Sequence, residues 1–387
     1  MIPYGKQTID QSDIDSVVEV LNSDFLTTGP KVPEFEKNIS SYVGAKYTLA
    51  FNSATSALHI ACMSLGIKKG DIIWTSPISF VASSNCALYC GADIDFVDIS
   101  LKTYNICPIK LRSKLQIASK SNSLPKALIV VHMCGYASHM KEIKDLADEF
   151  GFYIIEDASH ALGGKYKESF IGSCKYSDLA VFSFHPVKMI TTGEGGAVST
   201  NDQNIANKCK LLRTHGITRE KESLKFNDNH GGWYYEQLEL GYNYRLTDIQ
   251  AALGLSQLKR LDSFVESRNN IALQYEKSLP KTYFHLPEID KQSLSSFHLY
   301  VVRIKEDLGP HIRDKLYDYL KSKKIITNVH YIPIYRQPFY RDMGYKIKDF
   351  PDSELYYKTC LSLPIFPAFS KEMFNSVIEE INNFFEL

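Results

Sequence analysis

Three short stretches of the chain place reactive side chains directly after apolar runs. In IIEDASH, the run passes into Glu156 and Asp157, with His160 close behind. In AVFSFHPVK, the run ends at Ser183 and His185 and is followed by Lys188. In FNSATS, Phe51 gives way to Asn52, Ser53, Ala54, Thr55 and Ser56, small and hydroxylated residues of the kind that open helices. Each stretch suits a different task. A carboxylate holds a cation or a proton, a lysine amine adds to a carbonyl, and free N–H groups at a helix start bind phosphate. Each also has an ordinary alternative: Asp157 can cap a helix, Lys188 can be a solvated charge, and Ser53 or Thr55 can cap without meeting a ligand. The dinucleotide pattern GxGxxG is absent. Gly193-Glu194-Gly195-Gly196 follows no strand–helix start and reads as the turn of a hairpin into 197–200. His132, His139 and His160 lack metal-ligand spacing, so no metal is expected.

These groups can meet only if the strands carrying them lie side by side. Tyr47–Phe51 reads as a strand feeding a helix marked by Ala57, Leu58, Ala61, Cys62 and Leu65 and stopped by Gly66. Strands follow at Ile72–Thr75, 94–97, 127–132 and 152–155. Ile143, Leu146, Ala147 and Phe150 mark an amphipathic helix between the last two. The run 127–132 is apolar until its last residue, as in strands covered on both faces. Such alternation predicts an α/β fold with right-handed crossovers and a mostly parallel sheet. Ligands of such sheets bind beyond the carboxyl ends of the strands, where all three reactive stretches fall.

From about Thr247 the pattern changes. Ile249, Ala252, Leu253, Leu258 and Leu261 predict one long helix, followed by a strand at 299–304, a helix near 315–321 and a closing helix from Lys371. The reading is a large α/β domain over 1–262 and a smaller C-terminal α+β domain over 263–387. Segment 221–232, polar and glycine-bearing, reads as a loop near a site.

Composition narrows the function. Lysine plus arginine and aspartate plus glutamate each number 44, so the chain carries no net charge to draw it to nucleic acid. No apolar run approaches the ~20 residues of a membrane span, and the first ten residues contain no secretory-type apolar stretch. The eight cysteines are scattered without a CxxC and read as reduced thiols of a cytoplasmic protein.

A phosphate cradle, an acid and a lysine on successive strand ends together match one cofactor, pyridoxal phosphate (PLP). Its aldehyde joins a lysine, its ring nitrogen wants an anion, and its phosphate suits a helix start. The segments SFHPVKMITTGEGG, IIEDASHALGG and GYNYRLTDIQAALGLSQL resemble the DegT/DnrJ/EryC1/StrS family of nucleotide-sugar aminotransferases. The resemblance runs from LTTGPKVPEFE to NVHYIPIY and LSLPIFP and implies the fold-type I, aspartate aminotransferase-like class. By that resemblance Lys188 is the Schiff-base lysine and Asp157 the partner of the ring nitrogen. Ala54 and Thr55 supply the phosphate-binding helix start, Ser183 donates a hydroxyl, and Phe80 stacks on the ring. His160 stands where many members carry glutamine, and Asn243 reaches the phosphate of a neighbouring subunit. Tyr4, Asp24, Phe25, Leu26, Thr27, Asn328, Val329, His330 and Tyr331 match places where nucleotide sugar is held.

FNSATSALH, SPISFVASSN and ASHALG further resemble the branch that makes UDP-4-amino-4,6-dideoxy-N-acetyl-β-L-altrosamine for pseudaminic acid. The implied reaction passes the amino group of L-glutamate to C4 of a UDP-linked 4-keto-6-deoxy-N-acetylhexosamine. The implied assembly is a homodimer with shared sites. Another nucleotide-linked 4-keto sugar, from the UDP-bacillosamine pathway or a dTDP- or GDP-sugar pathway, stays open as an alternative, as does a non-enzymatic PLP- or nucleotide-binding regulator. A PLP sugar dehydratase of the family lacks the lysine, and Lys188 is present.

Overall fold

The computed structural model describes residues 1–226, 231–288 and 292–386. Two helices, α1 (Gln11–Leu21) and α2 (Lys31–Val43), precede the sheet. Strands β1 (Tyr47–Phe51), β2 (Ile72–Thr75), β3 (Asp93–Phe96), β4 (Ala127–Val131) and β5 (Tyr153–Asp157) then alternate with α3 (Ala54–Ser64), α4 (Ala82–Tyr89), α5 (Pro108–Lys120) and α6 (Met140–Phe150). A small hairpin, β6 (Lys165–Tyr166) and β7 (Ser169–Phe170), leads to β8 (Leu179–Ser183) and β9 (Gly196–Thr200).

Seven of these strands form one sheet in the order β1-β9-β8-β5-β4-β2-β3. Neighbours from β8 to β3 are parallel, whereas β9 runs antiparallel to both β8 and β1. The mostly parallel sheet is therefore as expected, and its one reversed strand is the product of the 193–196 turn. Every residue of β4 is buried, which explains its unbroken apolar sequence. On α6, Met140, Ile143, Leu146 and Ala147 form the buried face. Gly66 follows α3 at φ 66°, a left-handed conformation that glycine adopts without strain.

The rest of the chain comprises α7 (Gln203–Leu212), the ladder β10 (Ile217–Thr218) and β11 (Glu236–Gln237), α8 (Asp248–Leu258), α9 (Leu261–Ser278), β12 (Phe284–His285) and β13 (Ser293–Leu294). Then come β14 (Tyr300–Ile304), α10 (Ile312–Ser322), α11 (Pro338–Arg341), α12 (Pro351–Thr359), β15 (Cys360–Leu363) and α13 (Lys371–Glu386). The single helix expected from Thr247 is two helices, because the chain turns at Lys259 and Arg260 between α8 and α9. Strands β12, β14 and β15 form an antiparallel sheet. Leu316, Leu320, Val377 and Ile381 cover it in one core with Val301, Val302 and Leu361. Ile78, Val131 and Met133, from the carboxyl edge of the large sheet, belong to that same core. The first residues join the C-terminal half: Ile2 N–H donates to the Lys324 carbonyl, and Ile365 N–H donates to the Tyr4 carbonyl.

Candidate active site

Lys188 sits in the loop joining β8 to β9. The loop is tied at its neck, where Phe184 N–H donates to the Gly195 carbonyl at 2.9 Å and Thr192 N–H to the Phe184 carbonyl at 3.0 Å. Lys188 N–H in turn donates to the His185 carbonyl. The amine so placed lies 3.5 Å from Nε2 of His298. Desolvation pushes Lys188 down to about 8 from the ordinary lysine value, and the Asp157 charge offsets only part of this. His298 itself is fixed through its backbone. The buried guanidinium of Arg268 donates to the carbonyls of Phe297, His298 and Ile365 at 3.2, 3.1 and 2.9 Å.

Two more histidines complete this group. The His160 ring lies 4.5 Å from that of His298, and its Nε2 lies 3.2 Å from the Tyr331 hydroxyl. Nδ1 of His330 meets the Ser362 hydroxyl at 2.8 Å, and its ring packs 5.2 Å from Tyr4. Burial, and then the Lys188 charge, push all three histidines down, His330 to about 3. Lys188 is thus surrounded by neutral imidazoles. Nδ1 of His160 and of His298 are buried without a partner among the described residues. Tyr331, whose hydroxyl is pushed up by burial, lies 6.3 Å from the Phe80 ring. Phe80 is 59% exposed, so its ring face is open. Asn328 Nδ2 stands 3.4 Å from Nε2 of His330, and Val329 N–H donates to Asn328 Oδ1.

Asp157 ends β5 and is buried. Its Oδ2 accepts from the Ser83 hydroxyl at 2.6 Å and its Oδ1 from Ser159 N–H at 3.2 Å. A turn follows it, so the acid caps no helix. Ser53, in contrast, is a helix cap: its hydroxyl accepts from Ser56 N–H at the start of α3. That cap leaves the Ala54 and Thr55 amides without partners among the described residues. Gly196 pairs with both Phe51 and Ser183 and lies flat against this helix start. A Cβ added there would fall 2.5 Å from the Ala54 nitrogen.

The structure gathers Lys188, Asp157, His160, His330, Tyr331, Asn328 and Tyr4 through these contacts and charges. Segment 24–27 meets the first turn of α8, where the Leu26 carbonyl accepts from Asp248 N–H, and Gln250 of that same turn donates to the Glu194 carbonyl in the loop that carries Lys188. Asp24, Phe25 and Leu26 are exposed there. Asn243 is exposed and bridges Thr214, while its carbonyl accepts from Asn52 Nδ2 at 3.4 Å. Of the polar segment 221–232, residues 227–230 lie outside the described residues. Before them, the Lys225 and Phe226 amides donate to the Glu236 carboxylate. Sequence reasoning missed Ser83, His298 and Arg268. Lone residues of these types inside SFVASSN, FHLY and a helix carry no local signal, since their role depends on distant partners.

These donors fit pyridoxal phosphate. A buried carboxylate, a lysine with a depressed pKa, a helix start with two free amides and two unpartnered imidazole nitrogens supply what its ring, aldehyde, phosphate and phenolic oxygen require. Among the described residues no group of histidine, cysteine and acid side chains could hold a metal ion, and no helix is long and apolar enough to cross a membrane.

Residues 7–382 match the model of the DegT/DnrJ/EryC1/StrS aminotransferase family. A UDP-4-amino-4,6-dideoxy-N-acetyl-β-L-altrosamine transaminase of Campylobacter jejuni is 40% identical over 389 residues, covering 98% of each chain. The solved structure of Helicobacter pylori PseC, an aminotransferase of pseudaminic acid biosynthesis, superposes with a TM-score of 0.90 at 32% identity, covering 100% of this chain and 99% of that one. The PLP-form of the sugar aminotransferase Spr1654 from Streptococcus pneumoniae gives a TM-score of 0.88 at 27% identity, covering 100% and 98%.

Proposed function

The chain belongs to the DegT/DnrJ/EryC1/StrS aminotransferase family, and from that membership we infer which sugar it aminates and with which residues. As a member it has the fold-type I architecture and depends on PLP. The reading is transfer of the L-glutamate amino group to C4 of a UDP-linked 4-keto-6-deoxy-N-acetylhexosamine. The product is UDP-4-amino-4,6-dideoxy-N-acetyl-β-L-altrosamine, as in pseudaminic acid synthesis. The observation that supports the chemistry is Lys188, a lysine brought to about 8 and facing neutral histidines beside the Asp157 charge. The likeness to the Campylobacter transaminase and to PseC supports the sugar.

Bound PLP supplies a carbonyl that carries the amine and a ring that takes up the electrons released when a proton leaves carbon. Lys188 would tether the cofactor, and its amine when free would move a proton between the donor's α-carbon and C4′ of the cofactor. Only a neutral amine can do this, and a pKa near 8 leaves a usable fraction neutral at physiological pH. Asp157 holds the ring nitrogen protonated. The Ala54 and Thr55 amides, with Ser183, hold the phosphate at the positive end of α3. Phe80 covers one ring face, and His160 faces the phenolic oxygen as a neutral donor. Tyr4, Asn328, Val329, His330 and Tyr331 line the sugar side of Lys188, and segment 24–27 receives the nucleotide.

We further read the assembly as a homodimer in which Asn243 serves the partner's phosphate, with 1–262 and 263–387 as its two domains. Eight free thiols suit a cytoplasmic enzyme. The deciding experiment is a turnover screen of UDP-, dTDP- and GDP-linked 4-keto sugars, with 2-oxoglutarate release from glutamate as the readout. Preference for a dTDP or GDP sugar overturns the substrate assignment. Absence of release with every sugar overturns the activity.

A further inference from the structure

The Asp157 carboxylate is the end of a line of hydroxyls. Ser83 Oγ lies 2.6 Å from Asp157 Oδ2, and Ser79 Oγ lies 2.7 Å from Ser83 Oγ. All three side chains are buried. Proton counting fixes the direction of the line. An ionised carboxylate only accepts, so the single Ser83 proton goes to Asp157, and Ser79 must then donate to Ser83. Serines ahead of a helix ordinarily cap it, yet α4 has no side-chain cap and Ser79 turns to Ser83 instead. Phe80 lies between the two serines in sequence, so the same short segment reaches both the ring face and the ring nitrogen's partner.

We propose that Ser79 and Ser83 form a positioning relay that holds Asp157 as a pure acceptor and so keeps the shared proton on the ring nitrogen of bound PLP. The inference rests on the reading of Asp157 as that nitrogen's partner. A charge-assisted O–H···O⁻ bond favours the carboxylate form, and a buried oxygen deprived of its donor is costly. With Ser83 removed, the nearest replacement is the proton shared with the ring. The N–H bond then breaks as an O–H bond forms on Asp157, with no other reactant. A neutral ring withdraws electrons less strongly, so the carbon-proton steps slow.

The test loads the wild-type protein and its variants with ¹⁵N-labelled pyridoxal 5′-phosphate and reads the ring-nitrogen shift without substrates, alongside kcat. The wild type should show a protonated ring nitrogen. Ser83→Ala should move the shift toward the unprotonated value and lower kcat about 10- to 100-fold. Ser83→Thr, which keeps the hydroxyl, should restore both, and Ser79→Ala should move both in the same direction by less. If Ser83→Ala fails to fold, Ser79→Ala carries the test, since it deletes only the upstream donor. A wild-type shift in the Ser-to-Ala variants, with a moved shift in Asp157→Asn, overturns the relay alone. A wild-type shift in Asp157→Asn as well overturns the reading of Asp157, and the relay with it.

Discussion

The Lys188 amine lies 3.5 Å from Nε2 of His298, and the histidine is neutral. A neutral imidazole can accept a hydrogen bond from the ammonium without adding charge to a site that already disfavours it. Arg268 fixes the acceptor by clamping the carbonyls of the two peptides that flank the His298 side chain. Lys188 is thereby kept aimed while burial loosens its proton. The two effects are separable by experiment.

Capture of added PLP by the apoprotein should follow the neutral fraction of Lys188. At pH 7.5 about a quarter of the amines are neutral for a pKa near 8, against roughly one in a thousand at an ordinary 10.5. The capture rate should therefore rise with pH and level off above a midpoint near 8. Replacing His298 by leucine removes the acceptor for the ammonium and should lower that midpoint, whereas His298→Asn should hold it close to wild type. Borohydride should fix the label on the Lys188 peptide. A midpoint near 10, or label on Lys165 or Lys175, would end the assignment.

Asp157→Asn keeps the shape of the side chain and removes its charge. A carboxylate about 4 Å from the ring nitrogen contributes ~4 kcal/mol at an effective dielectric of 20, or roughly 3 pKa units of ring protonation. The expected result is a fall of several orders of magnitude in kcat with the cofactor still bound. Near-normal turnover would mean that the acid serves only its bonds to Ser83 and to the turn at Ser159.

The large sheet was legible because its strands are short apolar runs set between helical periods. The edge carrying the site could be located because each run ends in an acid, a lysine or a helix start. Lys188, Asp157 and the Ser53 cap follow from such local patterns and from the family resemblance. Ser83 and His298 do not. Ser83 reaches Asp157 across 74 positions and His298 reaches Lys188 across 110, and no local pattern encodes such pairs. The break between α8 and α9 was hidden for a related reason: the apolar stripe runs through Leu258 to Leu261 although the backbone turns. Segment 24–27 matched by resemblance alone, because its contact with the first turn of α8 is a backbone bond that leaves no mark in the sequence.

Acid should destabilise the fold through His330. Its pKa in the folded protein, about 3, lies below the ordinary 6.5, so the unfolded chain binds a proton that the folded one refuses. The stability that His330 contributes is present above pH 6.5 and is lost as pH drops toward 3. Between pH 7 and 5 the loss from this residue is about 2 kcal/mol. Urea unfolding of the apoprotein at several pH values should show the slope, and His330→Gln should reduce it by one proton. An unchanged slope in the variant would mean that His330 takes up its proton while folded.

Gly196→Ala probes the phosphate cradle from behind. The added Cβ would meet the backbone of Ser53 and Ala54 at 2.5 to 2.7 Å, so the start of α3 has to move. Because this contact is with backbone rather than a flexible side-chain tip, relief must come from the helix start itself. PLP affinity should fall at least tenfold, about 1.4 kcal/mol, while the Lys188 capture midpoint stays near 8. Wild-type affinity, measured by fluorescence titration of the apoprotein, would show that the free amides of Ala54 and Thr55 do not hold the phosphate.

Shared sites make a prediction that no single variant can. Asn243 is exposed, and its own backbone is secured at Thr214 and Asn52, so its side chain is free to serve a second copy of the chain. A phosphate with up to two negative charges gains from such a donor, and an isologous two-fold contact would give one to each site. Lys188→Ala and Asn243→Asp should each be inactive alone, the first for want of the amine and the second because a carboxylate repels the phosphate. In a mixed dimer with shared sites, one site collects both defects and the other has neither. Random exchange makes half the dimers mixed, each with one intact site, so activity should return to about a quarter of wild type. If each Asn243 serves its own chain, every site in the mixed dimer keeps one defect. Activity that stays at zero after verified subunit exchange would therefore assign Asn243 to its own phosphate and overturn the shared site.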